Sequence, residues 1–134
     1  MSEIQAPVIV FPDVPRSSAY GIAWDMLARR APHEALEILA PALEKEPDNH
    51  GLRSLRAWAY LMRAQLQKAE EELRGLVESD PSDTWARHAL GRSLERQSRY
   101  AEALGHLRLA AAMSGDPEHD YDVLRVERLA DEVG

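Results

Sequence analysis

The sequence contains no cysteine and only one phenylalanine. Without cysteine, the chain has no disulfide bond, no thiolate metal ligand and no cysteine nucleophile. No apolar run approaches the roughly 20 residues that a helix needs to cross a bilayer. The sequence also has no glycine-rich phosphate loop, no serine elbow and no zincin motif. These absences argue against the common enzyme classes and against insertion into a membrane.

The charge balance is acidic, with 23 Asp and Glu against 16 Lys and Arg and a formal net charge of −7. Basic residues alternate with acidic ones along the chain, whereas a nucleic-acid partner would need a basic face. We therefore expect no nucleic-acid partner. The apolar segment Pro7–Phe11 is too short for the core of a signal peptide and follows Glu3 rather than a basic residue. The default expectation is a cytoplasmic protein.

Histidine is the remaining common metal ligand, and the five histidines follow no recurring ligand spacing. His119, Asp120 and Asp122 form the densest group, but a solvated helix start explains them better than a metal site. We predict no metal site, no cofactor and no catalytic residue, and we expect that the chain is not an enzyme.

A period of 34 residues runs through most of the chain. Ala69 lies one period from Ala35 and one period from Ala103. The same spacing relates Leu39, Leu73 and Leu107. The sequence divides without gaps into 16–49, 50–83 and 84–117. Small residues and leucines that recur with this period predict three helix–turn–helix units, and therefore an all-α fold.

The repeat resembles the tetratricopeptide repeat family. That family favours a Leu-Gly-like pair at positions 7 and 8, an aromatic residue at 11, alanine at 20 and 27, a large apolar residue at 24 and proline at 32. The third repeat supplies Leu90, Gly91, Leu94, Tyr100, Ala103, Leu107 and Ala110. At position 4, where the family has a large residue, the three repeats have Ala19, Arg53 and Arg87. The resemblance implies a right-handed α-solenoid with a C-terminal capping helix.

Proline and capping residues predict where the helices begin and end. The first helix begins after Ser17 or Ser18 and runs to about Arg30, and the second contains Pro41 and should bend there. Further helices are predicted at 50–64, 67–79, 84–97, 100–113 and 117–132. In the last of these, the capping helix of the segment 118–134, two sets of residues are assigned to opposite faces. Tyr121, Leu124, Val126 and Leu129 should cover the last hairpin, and Glu118, Asp122, Arg125 and Asp131 should face water.

Residues 1–15 differ from the repeats because they combine three prolines with several large apolar residues. Proline and β-branched residues favour extended backbone, so this segment is predicted to be an extended arm. A disordered leader is one interpretation. The other is that Val8–Val14 dock against the concave face of the repeats, within one chain or in a neighbouring molecule. Docking in a neighbour would give self-association through the arm.

The resemblance also implies which residues line a binding groove, because the first helix of each tetratricopeptide repeat faces it at positions 2, 5, 9, 12 and 13. All three tryptophans of the sequence fall on these positions, which indicates a binding surface. A core position is the alternative interpretation for each tryptophan. The predicted groove residues are Tyr20, Trp24, Leu27, Ser54, Trp58, Leu61, Met62, Trp85, His88, Arg92 and Arg96.

Three functions fit these features. The first is a non-enzymatic adaptor whose groove binds an apolar segment of a partner protein. The second is a dedicated chaperone that resembles the three-repeat chaperones of bacterial secretion systems. The third is a regulatory or structural subunit of an enzyme complex that uses its convex face. A clamp for the C-terminal carboxylate of a general chaperone is disfavoured, since the corresponding positions hold Tyr20, Trp24, Leu55, Trp85 and Ala89 instead of clamp residues.

Overall fold

The protein is described by a computed structural model that covers residues 4, 6–7 and 18–133. These residues form seven α-helices and no strand, which confirms the predicted all-α class. Most boundaries fall within two residues of those predicted. The helices are α1 Ala19–Ala28, α2 Pro32–Lys45, α3 His50–Met62, α4 Leu66–Ser79, α5 Thr84–Arg96, α6 Tyr100–Ser114 and α7 Pro117–Val133.

Of the predicted N-terminal arm, the structure describes three residues. Pro7 is buried, and Ile4 and Ala6 are half-buried. The segment for which docking is predicted, Val8–Val14, lies outside the described residues.

A polar side chain caps the first helix of each repeat. Ser18, Asn49 and Asp83 each accept a hydrogen bond from the backbone N–H three residues further on, at 3.1, 3.0 and 2.9 Å. A cap of this kind is worth about 1 kcal/mol because it satisfies a backbone donor that has no partner within the helix. Asn49 and Asp83 are one period apart, so the repeat carries its own start signal.

The turn inside each hairpin repeats with the same period. Arg30, Ala64 and Ser98 all adopt the left-handed conformation, with φ of 60°, 56° and 61°. In each turn, the next residue's N–H donates to the carbonyl five residues earlier, at 2.8, 2.9 and 3.0 Å. These bonds end the helix in a Schellman motif. They explain why α1 and α3 stop two residues earlier than the sequence predicted.

The described residues form two compact units, whose boundary falls within α4. The first unit contains the described residues up to Glu72, except Ile4. In this unit the helices α1, α2 and α3 all pack against one another. Small and leucine side chains fill this core. Its fully buried members are Ala23, Leu27, Ala35, Leu39, Leu55, Ala57, Ala59 and Ala69.

The second unit begins at Leu73 and includes Ile4, and in it α6 packs against both α5 and α7. Gly91 gives α5 and α6 their close approach. A Cβ atom added at Gly91 would lie 2.6 Å from Cδ2 of Leu107 and 2.7 Å from its Cγ, which is closer than carbon atoms pack. Gly91 is the small residue at position 8 of the third repeat, and this hairpin leaves no room for a larger one.

The capping helix α7 buries Val126 and exposes Glu118 and Asp131 as predicted, but four other residues depart from the prediction. Tyr121 and Leu124, predicted to cover the last hairpin, are 71% and 56% exposed. Asp122, predicted to face water, is 4% exposed, and Arg125 is half-buried. The prediction was wrong for these four residues because it ranked them by hydropathy alone. Buried polar side chains are stable where partners satisfy them, and α5 supplies those partners.

Pro41 lies within α2, which continues from Pro32 to Lys45, and its side chain is exposed. Proline in a helix interior lacks an N–H donor and crowds the preceding turn. Pro41→Ala should therefore raise the free energy of unfolding by about 1–2 kcal/mol, after allowing for the proline's effect on the unfolded chain. Urea denaturation followed by circular dichroism measures the change, with the exposed Glu44→Ala on the same helix as a control. A loss of more than about 2 kcal/mol would instead mean that the proline contributes to packing.

Candidate functional site

The first helices α1 and α3 bring two predicted groove residues together. Trp24 and Trp58, one period apart in the sequence, make an edge-to-face contact with ring centroids 6.3 Å apart and an interplanar angle of 62°. Trp24 is 36% exposed, whereas Trp58 is 8% exposed. The core interpretation therefore holds for Trp58, whereas Trp24 is accessible to solvent. Trp58 belongs to the core, and Trp24 rests on it with part of its ring in solvent.

Other predicted groove residues of the first unit lie at graded depths. Leu27, Ser54 and Leu61 are buried, and the Ser54 hydroxyl donates to the carbonyl oxygen of His50 at 2.9 Å. Tyr20 and Met62 are half-buried, and burial raises the pKa of the Tyr20 hydroxyl. The partly accessible apolar side chains among the predicted residues of this unit are therefore Tyr20, Trp24 and Met62.

In the second unit, the predicted residues of α5 take part in a buried ionic cluster with α7. His88 and Arg92 are 9% and 4% exposed. Nε2 of His88 lies 2.7 Å from Oδ2 of Asp122, and Nη1 of Arg92 lies 3.9 Å from the same oxygen. The ring of His88 also stacks on that of His119, with centroids 4.2 Å apart and planes within 2°.

Arg125 of α7 completes this cluster by reaching back to α5. Its guanidinium donates to both carboxylate oxygens of Glu95, at 2.8 and 2.7 Å, and its Nη1 donates to Oδ1 of Asp122 at 2.6 Å. Nε of Arg92 lies 3.2 Å from Oε1 of Glu95. A bidentate pair fixes the relative position of two side chains, so this contact defines how α7 sits on α5.

The cluster shifts the ionisation of its members. Burial would raise the pKa of the Asp122 carboxyl, but hydrogen bonds with His88 and from Arg125 and the charge of Arg92 outweigh it and lower that pKa to about 2. Desolvation lowers the pKa of Arg92, whereas the hydrogen bonds to Glu95 raise the pKa of Arg125. Asp122 is thus held ionised at neutral pH.

The two remaining predicted residues, both on α5, are more accessible. Trp85 is half-buried and Arg96 is exposed. Arg96 is close enough to the cluster for its charge to contribute to the lowered pKa of Arg92. Within the second unit the structure therefore joins His88 and Arg92 through Asp122, with Arg96 at the edge of the same cluster.

The sequence prediction missed Glu95 and Arg125 as partners of the predicted residues, and it assigned Asp122 to the solvent side of the capping helix. One signal was available in the sequence. His88 and Asp122 are one period apart. His88 holds position 5 of the third repeat, and Asp122 holds position 5 of the fourth repeat that α7 would begin. Because the first helices of adjacent repeats lie side by side, residues at equal positions come close together.

No group of three or more His, Asp or Glu residues able to hold a metal ion occurs among the residues that the structure describes. In that same part of the chain, no helix combines the length and the apolar character required to cross a membrane.

Comparison with known proteins gives one family match. The tetratricopeptide repeat model matches residues 26–93, just over half of the 134-residue chain. No curated protein matches the sequence. The solved structure of MamA AMB-1 has 19% identity and a TM-score of 0.66, over 85% of this chain and 70% of that chain. MamA MSR-1 has 16% identity and a TM-score of 0.67, over 95% and 83%.

At such identities the solved structures show a shared fold, and the family match covers the repeats from which that fold is built. Arrays of this kind are generally non-catalytic scaffolds for protein–protein interaction. The sequence period, the helical hairpins and the family match agree, and this chain belongs to the tetratricopeptide repeat family.

Proposed function

We propose that the chain is a non-enzymatic adaptor that binds an apolar segment of a partner protein on the face formed by α1 and α3. The observation that carries this proposal is the Trp24–Trp58 pair, in which a buried ring supports a ring that is 36% exposed. A tryptophan held in one orientation loses little freedom on binding, and such residues dominate binding energy at many interfaces.

Apolar neighbours extend the surface around Trp24. Tyr20 lies one helical turn before it on α1, and Met62 lies one turn beyond Trp58 on α3, both half-buried. Aromatic rings and a flexible methionine can adapt to aliphatic or proline side chains. These features favour a short apolar peptide over a charged one.

Trp24→Ala should weaken partner binding at least tenfold, because truncating a tryptophan at the centre of an interface costs about 2 kcal/mol or more. The test is affinity capture from the native lysate, followed by affinity measurement with each captured protein. Trp24 is chosen over Trp58 because Trp58 is buried, and its removal would damage the core. Leu109→Ala, which removes an exposed apolar side chain from α6, is the matched control.

Capture of the same proteins with equal affinity by the Trp24→Ala variant would contradict the proposal and would favour a subunit that binds through its other face. The chaperone alternative gives a different result. In that case, loss of Trp24 lowers the amount of one client protein in the cell, whereas an adaptor variant impairs assembly and leaves its partners stable.

A further inference from the structure

Helix α7 stands where the first helix of a fourth repeat would stand. Leu90 of α5 and Leu124 of α7 are one period apart and hold the same repeat position. Leu90 is 1% exposed in the hairpin with α6, whereas Leu124 is 56% exposed. Leu94, which is fully buried, has Arg128 as its exposed counterpart. No helix in the described part of the chain covers α7 as α6 covers α5.

The exposed side of α7 has an apolar centre. Tyr121, at 71% exposure, and Leu124 are three residues apart and therefore neighbours on one helix face. Tyr121 is also the large residue that the family has at position 4, where the three complete repeats have Ala19, Arg53 and Arg87. At positions 4 and 7 this face is thus patterned like a first helix that packs against a second one.

The charges that border this apolar centre are mainly acidic. Exposed carboxylates stand near both ends of the face, and Arg128 is the exposed basic side chain between them. These carboxylates are Glu118, Asp120, Asp131 and Glu132. A helix laid along α7 would meet a negative potential on its flanks, which favours lysine and arginine there.

We propose that α7 binds a basic amphipathic helix of another protein, which packs on Tyr121 and Leu124 as α6 packs on α5. This surface belongs to the second unit, whereas the α1–α3 face belongs to the first. A second copy of this chain is a poorer occupant, because its own α7 would bring the same acidic border against this one.

The test uses the full chain and synthetic helical peptides. The probe carries the three apolar residues with which α6 faces the core, Ala103, Leu107 and Ala110, on a helix with lysine at the flanking positions. A second peptide has glutamate at those flanks. Fluorescence anisotropy should show saturable binding of the lysine peptide, at least tenfold tighter than that of the glutamate peptide and weakened by salt.

The double variant Tyr121→Ser, Leu124→Ser should bind the lysine peptide at least tenfold more weakly than the wild type does. Leu109→Ser, Met113→Ser removes two apolar side chains of α6 that are 44% and 38% exposed, and it should leave binding unchanged. Equal binding of both peptides, or equal binding by the α7 double variant, overturns the proposal. Sedimentation that shows a dimer of the wild type, lost in the α7 variant, also overturns it, since the occupant is then a second copy.

Discussion

Replacing Asp122 with alanine should lower the free energy of unfolding by about 3–5 kcal/mol, because it breaks a buried ion cluster and leaves its cations undercompensated. The Asp122 carboxylate is 4% exposed and pairs with His88 and Arg125 at 2.7 and 2.6 Å. Without it, Glu95 would face both Arg92 and Arg125. Urea denaturation followed by circular dichroism measures the loss.

Two further variants separate the charge of Asp122 from its general position on α7. Asp122→Asn keeps the shape of the side chain and removes its charge, so it should destabilise the protein by less than alanine does. Glu118→Ala removes an exposed carboxylate from the same helix and should change stability by less than about 0.5 kcal/mol. If Asp122→Ala and Glu118→Ala had equal effects, the cluster would not hold α7 in place.

The same carboxylate should make the protein sensitive to acid. The pKa of Asp122 is lowered from 3.8 to about 2 on folding, so its ionised form favours the folded state. This contribution is fully present above the unfolded pKa and is lost as the pH falls through the folded pKa. Unfolding free energies measured from pH 6 down to 2 should therefore fall more steeply for the wild type than for Asp122→Asn. If the unfolding free energies of the two proteins fell in parallel with pH, Asp122 would not be the source of the acid sensitivity.

The second large loss of stability is expected from substitutions at the close contact between α5 and α6. Leu107→Ala should cost about 2–5 kcal/mol, since Leu107 is fully buried and its truncation leaves a cavity. Gly91→Ala should cost about 1–3 kcal/mol through overpacking, because the new Cβ would meet Leu107 at 2.6 Å. Denaturant unfolding of the wild type, both single variants and the double variant gives the four free energies of a double-mutant cycle.

In the double variant the two changes should compensate in part. The methyl group added at Gly91 would occupy space that the truncated Leu107 side chain no longer fills, so the combined loss should be smaller than the sum of the single losses by about 1 kcal/mol or more. Gly105→Ala is the matched control, since an added Cβ there meets no atom within 4 Å. Strict additivity of Gly91→Ala and Leu107→Ala would mean that the hairpin relaxes around the added methyl group.

The sequence predicted the helices well because their signals are local and recur three times. Asn49 and Asp83 cap successive first helices, and alanine or glycine recurs where hairpins pack closely. The left-handed turns at Arg30, Ala64 and Ser98 could not be predicted, since none is glycine and their geometry comes from backbone hydrogen bonds.

The candidate site was less predictable, because burial depends on contacts between helices. Trp24 and Trp58 hold the same repeat position, yet one is 36% and the other 8% exposed. Hydropathy also misassigned Tyr121, Leu124 and Asp122 of α7, since Asp122 is strongly polar but finds partners on α5 that no single helix pattern reveals.

The capping residues also bear on how such a chain can change its length. Asp83 is the last residue of the segment 50–83 and caps α5, as Asn49 closes the preceding segment and caps α3. The 34-residue unit thus ends with the residue that starts its successor, and its internal turn at Ala64 depends on no particular side chain. A tandem duplication of 50–83 would therefore place an N-capping residue before the first helix of each new repeat. The gene could then gain or lose whole repeats without a compensating substitution at the junction.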